Sequence, residues 1–266
     1  MQQVTEQFSS ATSRKTMWDE SVEELITQLA APKGTVGILY TSEDLAPFLG
    51  KMLDQLRLKT GVTDWSCASG YGTISHTEEV FGESSATVIV LDLPPDAYRV
   101  FSGSADVGTL LSAKETEWLA EATMPLAISH VDPRHPHAME AISNLAEMTG
   151  SFLIGGLTVA SSDSPHLVNA EKTCMSGIAI SPMKAEMFTG LSQGCSPISK
   201  TLTVTKAQQN IIIEFDQKPA FDVLMEYLGD EFKNNLQSMD GTRFVALPVQ
   251  GSDTADYTCL LYTSDA

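Results

Sequence analysis

Apolar and polar positions follow two rhythms along the chain, and each switch between them marks an element. Ser21 to Ala31 sets Val22, Leu25, Ile26 and Leu29 at helical spacing. That spacing predicts an amphipathic helix capped by Ser21, with Glu24 three residues on. The apolar run Thr35 to Tyr40, bounded by Gly34 and Ser42, predicts a buried strand, and Leu45 to Leu58 returns to helical spacing through Phe48, Leu49, Met52, Leu53 and Leu56. Further strands are expected at Val62 to Ala68 and Thr87 to Leu93, joined by a polar, glycine-bearing loop. A helix at Leu110 to Ala122, a strand at Met124 to His130, a helix at Pro136 to Met148 and a strand at Phe152 to Thr158 complete this half. Pro136 suits a first helical turn, where the amide hydrogen it lacks would have no partner.

From Ser176 the rhythm shortens. Gly177 to Ser181, Glu186 to Ser192, Thr201 to Thr205 and Ile211 to Phe215 read as strands joined by turns, a meander. A helix at Phe221 to Phe232 and a strand at Phe244 to Val249 follow. The expected fold class is α/β (α+β): mixed sheets with helical layers, an antiparallel meander toward the C-terminus, and a four-layer α-β-β-α arrangement if two sheets stack.

Composition narrows the partners. With 266 residues, 42% of them hydrophobic, the chain is long enough to bury a pocket. A formal net charge of -18 repels phosphate backbones and anionic lipid, so neither nucleic acid nor a membrane surface is an expected partner. No apolar run approaches the ~20 residues that span a bilayer. The first residues lack the basic-then-apolar pattern of a secretory signal, and four scattered cysteines fit free thiols, so the expected location is cytoplasmic.

Candidate chemistry is sparse. Ser69, Gly70 and Gly72 follow one predicted strand, Gly155 and Gly156 lie on another, and Gly194, Cys195 and Pro197 follow a third. Small residues at strand ends admit a ligand close to the backbone, although each glycine alone also fits a turn. Cys195 as a hydrolase nucleophile would need a base, and no histidine stands near it in sequence; a small buried residue at a tight turn is the plainer role. His130, Asp132, His135 and His137 fall within eight residues, dense enough to raise a metal or haem ligand, yet their spacing is poor for zinc and suits a solvated loop. No catalytic residue and no metal site are expected. The acidic pairs Asp19-Glu20, Glu23-Glu24 and Glu78-Glu79 read as surface charge, and Trp18, Trp65 and Trp118 as core.

One stretch carries more. "GLSQGCSPISKTLTVTKAQQNIIIEFDQKPAFDVL", from Gly190 to Leu224, together with "GTVGILYTSED", "WSCASGYGTI", "FLIGGLTVA" and "MSGIAIS" in that order, resembles the FIST family. The resemblance implies an N-terminal-like sensory domain over residues 20–218 and the truncated start of a C-terminal-like domain over 219–258. The last residues, 259–266, resemble the translation of a sequencing adapter. The resemblance further implies a cytoplasmic sensory module, not an enzyme. It would bind a small metabolite, an amino acid or a related ligand, where the three glycine segments converge. Occupancy would pass to a signalling protein in trans. No cofactor is expected from it. The alternatives are a haem-binding nitric-oxide sensor and a cysteine-dependent hydrolase using Cys195.

Overall fold

The computed structural model describes residues 8–30, 34–103, 117–119, 121–122, 124–136, 138–158, 166–169, 171–173, 175–188, 197–209, 211–228, 244–248 and 257–262. They divide into two compact units, Met1–Thr189 and Gly190–Ala266.

The first unit holds the stacked sheets. Strands β1 (Phe8–Ser13), β2 (Val36–Ser42), β3 (Asp64–Gly70), β6 (Ala86–Leu91), β10 (His166–Val168) and β11 (Glu171–Thr173) form a six-stranded sheet in the order β1-β6-β2-β3-β10-β11. Strands β7 (Tyr98–Gly103), β8 (Leu126–Val131), β9 (Phe152–Leu157) and β12 (Met175–Ile180) form a four-stranded sheet in the order β7-β12-β8-β9. Each sheet contains one parallel pair, β2 with β3 and β8 with β9. A helix joins each pair: α2 (Leu49–Thr60) in the first case, α3 (Ala138–Thr149) in the second. The remaining pairings of both sheets are antiparallel.

Side-chain alternation divides the core into three layers. On the outer face of the six-stranded sheet, Leu39, Trp65, Cys67, Val88 and Val90 pack against Val22, Leu25 and Leu29 of α1 (Trp18–Leu29) and Met52, Leu53 and Leu56 of α2. Phe101, Ala127, Val131 and Met175 meet Ala141 and Leu145 of α3 on the outer face of the other sheet. Between the sheets lie Val36, Ile38, Tyr98, Ile178 and Ile180. This is the α-β-β-α stack, and each sheet is buried because both of its faces have apolar residues to cover.

Several local expectations shift. Ser21 does not cap α1: the helix begins at Trp18, and Ser21 is buried inside it with its hydroxyl unpaired among the described residues. The loop after β3 contains a hairpin, β4 (Gly72–Ile74) with β5 (Glu79–Phe81). Strand β12 opens no meander; all six of its residues are buried, and it pairs with β7 on one side and β8 on the other. Residues 186–188 have no strand pairing. Of the helix expected at 110–122, residues 117–119 and 121 are helical, and the first seven positions lie outside the described residues.

In the second unit β13 (Val204–Gln208), β14 (Ile211–Phe215) and β15 (Lys218–Pro219) form a three-stranded meander, with α4 (Ala220–Tyr227) against it. Strand β16 (Phe244–Pro248) pairs with β17 (Tyr257–Tyr262), so part of the segment that resembles an adapter is a strand here. No helix among the described residues is long and apolar enough to cross a membrane.

Candidate functional site

Among the polar side chains between the two sheets, Tyr40, His130, His166 and Ser176 gather near the carboxyl ends of the parallel strands. Tyr40 is the fifth residue of β2 and faces the other sheet along with Val36 and Ile38. His130 is the fifth residue of β8 and faces it in return. The Tyr40 hydroxyl lies 2.9 Å from His130 Nε2, with the rings edge to face at 5.0 Å between centroids. Such a contact joins a hydrogen bond to a favourable aromatic arrangement. His130 Nδ1 is buried and has no hydrogen-bond partner among the described residues.

His166 reaches the same layer from β10. Its Nε2 lies 2.7 Å from Thr158 Oγ1 and its Nδ1 3.3 Å from Ser176 Oγ, which donates to the Cys67 carbonyl at 3.2 Å. Ser176 pairs directly with His130 across β12 and β8, so the histidines are neighbours. Burial pushes the pKa of each down to about 4: the proximity of His166 adds to the effect on His130, and at His166 Asp132 partly opposes it. Both imidazoles are neutral at pH 7. Burial raises the Tyr40 phenol, which stays protonated, and the Cys67 thiol.

Glycine opens space beside this cluster. Gly156 stands opposite His130 in the parallel register of β8 and β9, on the face turned toward the other sheet. A Cβ on Gly156 would meet nothing within 4 Å, and Gly156 is itself exposed, so the sheet edge opposite His130 is open. Ile154, two residues earlier on the same face, is 40% exposed, so the layer is open at this edge.

The residues picked out from the sequence take different places. Gly155 has φ of 129°, and a Cβ there would collide with the Ser129 backbone. Ser69 faces the helical layer, where its hydroxyl lies 2.8 Å from Thr41 Oγ1. Gly70 follows Ala68, the partner of Tyr40, on the inter-sheet face. Gly72 starts the β4–β5 hairpin, its missing Cβ making room for the Val80 carbonyl. Pro197 is exposed and belongs to the second unit; Gly194 and Cys195 lie outside the described residues.

The histidine run separates. His130 points between the sheets, Asp132 pairs with Arg134 at 2.8 Å in the following turn, and His137 lies outside the described residues. No group of three or more metal-ligating side chains occurs among the described residues. Tyr40 occupies His130 Nε2, and both nitrogens of His166 have hydrogen-bond partners. His166 was not legible as a site residue, because Thr158, Ser176 and Cys67 reach it only through sheet pairing.

The FIST N domain family model matches residues 35–218. That span begins just before β2, takes in the whole cluster, crosses the division at Thr189 and ends at Lys218. No curated protein matches the chain.

Proposed function

The chain belongs to the FIST family, a small-ligand sensory domain of signal transduction, and from that premise we propose that it binds a small metabolite beside His130. The ligand class is an amino acid or a related small acid. The module acts in the cytoplasm and passes occupancy to a signalling protein in trans, without catalysing a reaction on what it binds.

The observation that carries this reading is the open sheet edge at Gly156, opposite His130 of the Tyr40–His130 pair. It combines open space, an apolar surround of Ile128 and Ile154, and a few convergent polar atoms, the usual composition of a small-ligand site. A ligand seated there touches β8 and β9 of one sheet and Tyr40 of the other. It therefore contacts both halves of the stack at once, and a change in their spacing is the natural output.

A panel of amino acids and small carboxylic acids tests the reading through the melting temperature of the full chain. At least one compound should raise it by mass action, by an amount that grows with concentration. Gly156→Val fills the open space beside His130 and should abolish the rise while the variant remains folded. A panel with no effect on the folded protein, or an undiminished rise in Gly156→Val, overturns the proposal.

A further inference from the structure

Among the described residues the two stacked sheets end in the edge strands β1, β11, β7 and β9, and the last of these is unguarded. Edge strands ordinarily carry a charge, a proline or a bulge that discourages pairing with another chain. Strand β7 has Arg99, β11 has Glu171 and Lys172, and β1 is mostly serine and threonine. Strand β9 reads FLIGGL and keeps an unbroken register with β8. Phe152, Ile154 and Leu157 are exposed on it, and no charged residue occurs from Met148 to Ser162.

The backbone of β9 shows what kind of group covers it. Successive residues of a strand direct their amides to opposite sides. Phe152 donates its N–H to Pro125 and Thr158 donates to Val131, so the even-numbered residues bond toward β8. Leu153, Gly155 and Leu157 therefore direct N–H and C=O outward, where no described residue pairs with them. Donors and acceptors at every second residue match another extended strand.

A second copy of β9 meets these demands. The formal charge of -18 makes two copies repel, so a self-contact belongs where charge is absent, as it is here. Antiparallel pairing about a two-fold axis through Gly155 sets Leu153 opposite the partner subunit's Leu157 and Ile154 opposite the partner subunit's Gly156. Each outward amide and carbonyl then finds a partner. On the face turned toward the six-stranded sheet, the bulk of Ile154 meets open space, because a Cβ on Gly156 would meet nothing within 4 Å. The contact is isologous, so every favourable pair occurs twice.

We propose that β9 is a dimerisation edge, to which a second copy of this chain adds antiparallel through Gly155, joining two four-stranded sheets into one. A ribbon this short covers much less than the ~1,200 Å² of a standard interface, so the dimer is weak and concentration-dependent, with a Kd of about micromolar or above. The inference does not rest on the ligand reading. Where both hold, a ligand at Gly156 and Ile154 of the partner subunit contend for one space.

Sedimentation velocity of the full chain over a concentration series tests the association. The average mass should climb from monomer toward dimer, and a monomer throughout, up to millimolar concentration, overturns the proposal. Leu157→Asp adds a negative charge to each copy at the pairing edge and should raise the concentration of half-association about tenfold or more. Undiminished association in that variant, with its melting temperature unchanged, removes β9 as the interface.

Cysteine pairs read the register. Opposed residues that exchange no hydrogen bonds lie about 4.5 Å apart at Cα, within disulfide reach. A chain with both Ile154→Cys and Gly156→Cys should crosslink into a dimer on mild oxidation, above the background of its own four cysteines. Ile154→Cys alone should not, and a crosslink there overturns the register through Gly155. Hydrogen exchange at the amides of Leu153, Gly155 and Leu157 should slow as concentration rises. Protection at those amides in a chain that stays monomeric would show that another segment of the same chain covers β9, and would overturn the second copy as its occupant.

Discussion

Two adjacent glycines on β9 answer to opposite demands. Gly155 sits at a φ of 129° with its missing Cβ directed at the Ser129 backbone, whereas Gly156 has open space on its side-chain face and no such angle. Gly155→Ala should therefore destabilise the protein by roughly 1–3 kcal/mol, while Gly156→Ala should stay within about 0.5 kcal/mol. Urea denaturation of the two variants compares them directly, and equal losses would contradict this division of roles. The sequence marks both residues as glycines able to border a pocket. It does not reveal which serves the backbone and which the ligand, because that depends on register with β8. His130 shows the same limit. In sequence it belongs with Asp132, His135 and His137, whereas in the fold it bonds Tyr40 while Asp132 pairs with Arg134.

At the scale of elements, apolar periodicity located α2 and α3, each of which buries one stripe against a sheet, and short apolar runs located β2 and β9. It failed to identify partners where pairing is remote. Strand β12 is covered on both faces, so its pattern does not distinguish a central strand from the start of a meander. Strand β10 joins the sheet through its bonds to β3, about a hundred residues away, which no local pattern encodes. The N-terminus of α1 was misread for a related reason. Ser21 is a good capping residue, but its side chain lies at 0% exposure under the helix, and Met17 holds the cap position instead. Its hydroxyl is unpaired among the described residues, so Ser21→Ala should remove a desolvated polar group and improve helix propensity together. The expected gain is about 1 kcal/mol, read as a rise in the urea midpoint without a change in slope. A loss of that size would show that the hydroxyl has a partner in solution.

Across the whole molecule, the buried histidines tie stability to pH. Each has its folded-state pKa lowered to about 4 from an ordinary 6.5, so the folded chain binds fewer protons than the unfolded one in that interval. Their contribution is complete above pH 6.5 and is lost as pH falls toward 4. The linkage amounts to roughly 3 kcal/mol at most for His166, and less for the partly exposed His130. Chemical denaturation at pH 7 and pH 4.5 should show the drop, and a His166→Gln variant should show a shallower one. An identical pH profile in that variant would remove His166 from the account.

The attachment of β10 has a consequence for when the site exists at all. Only two residues of β10, Leu167 and Val168, pair with β3, whereas β2 and β3 are joined over seven. Strands held by few bonds open more often than the sheet they border, in fluctuations well short of global unfolding. Each such opening would carry His166 away from Ser176 and Thr158 while the parallel strands stayed closed. The lifetime of the assembled cluster is therefore set by the short junction of β10 with β3, and amides of β10 should exchange with solvent at a lower free energy than those of β2. A ligand that bridges the two sheets would slow that exchange, making hydrogen exchange at one short strand a direct record of occupancy.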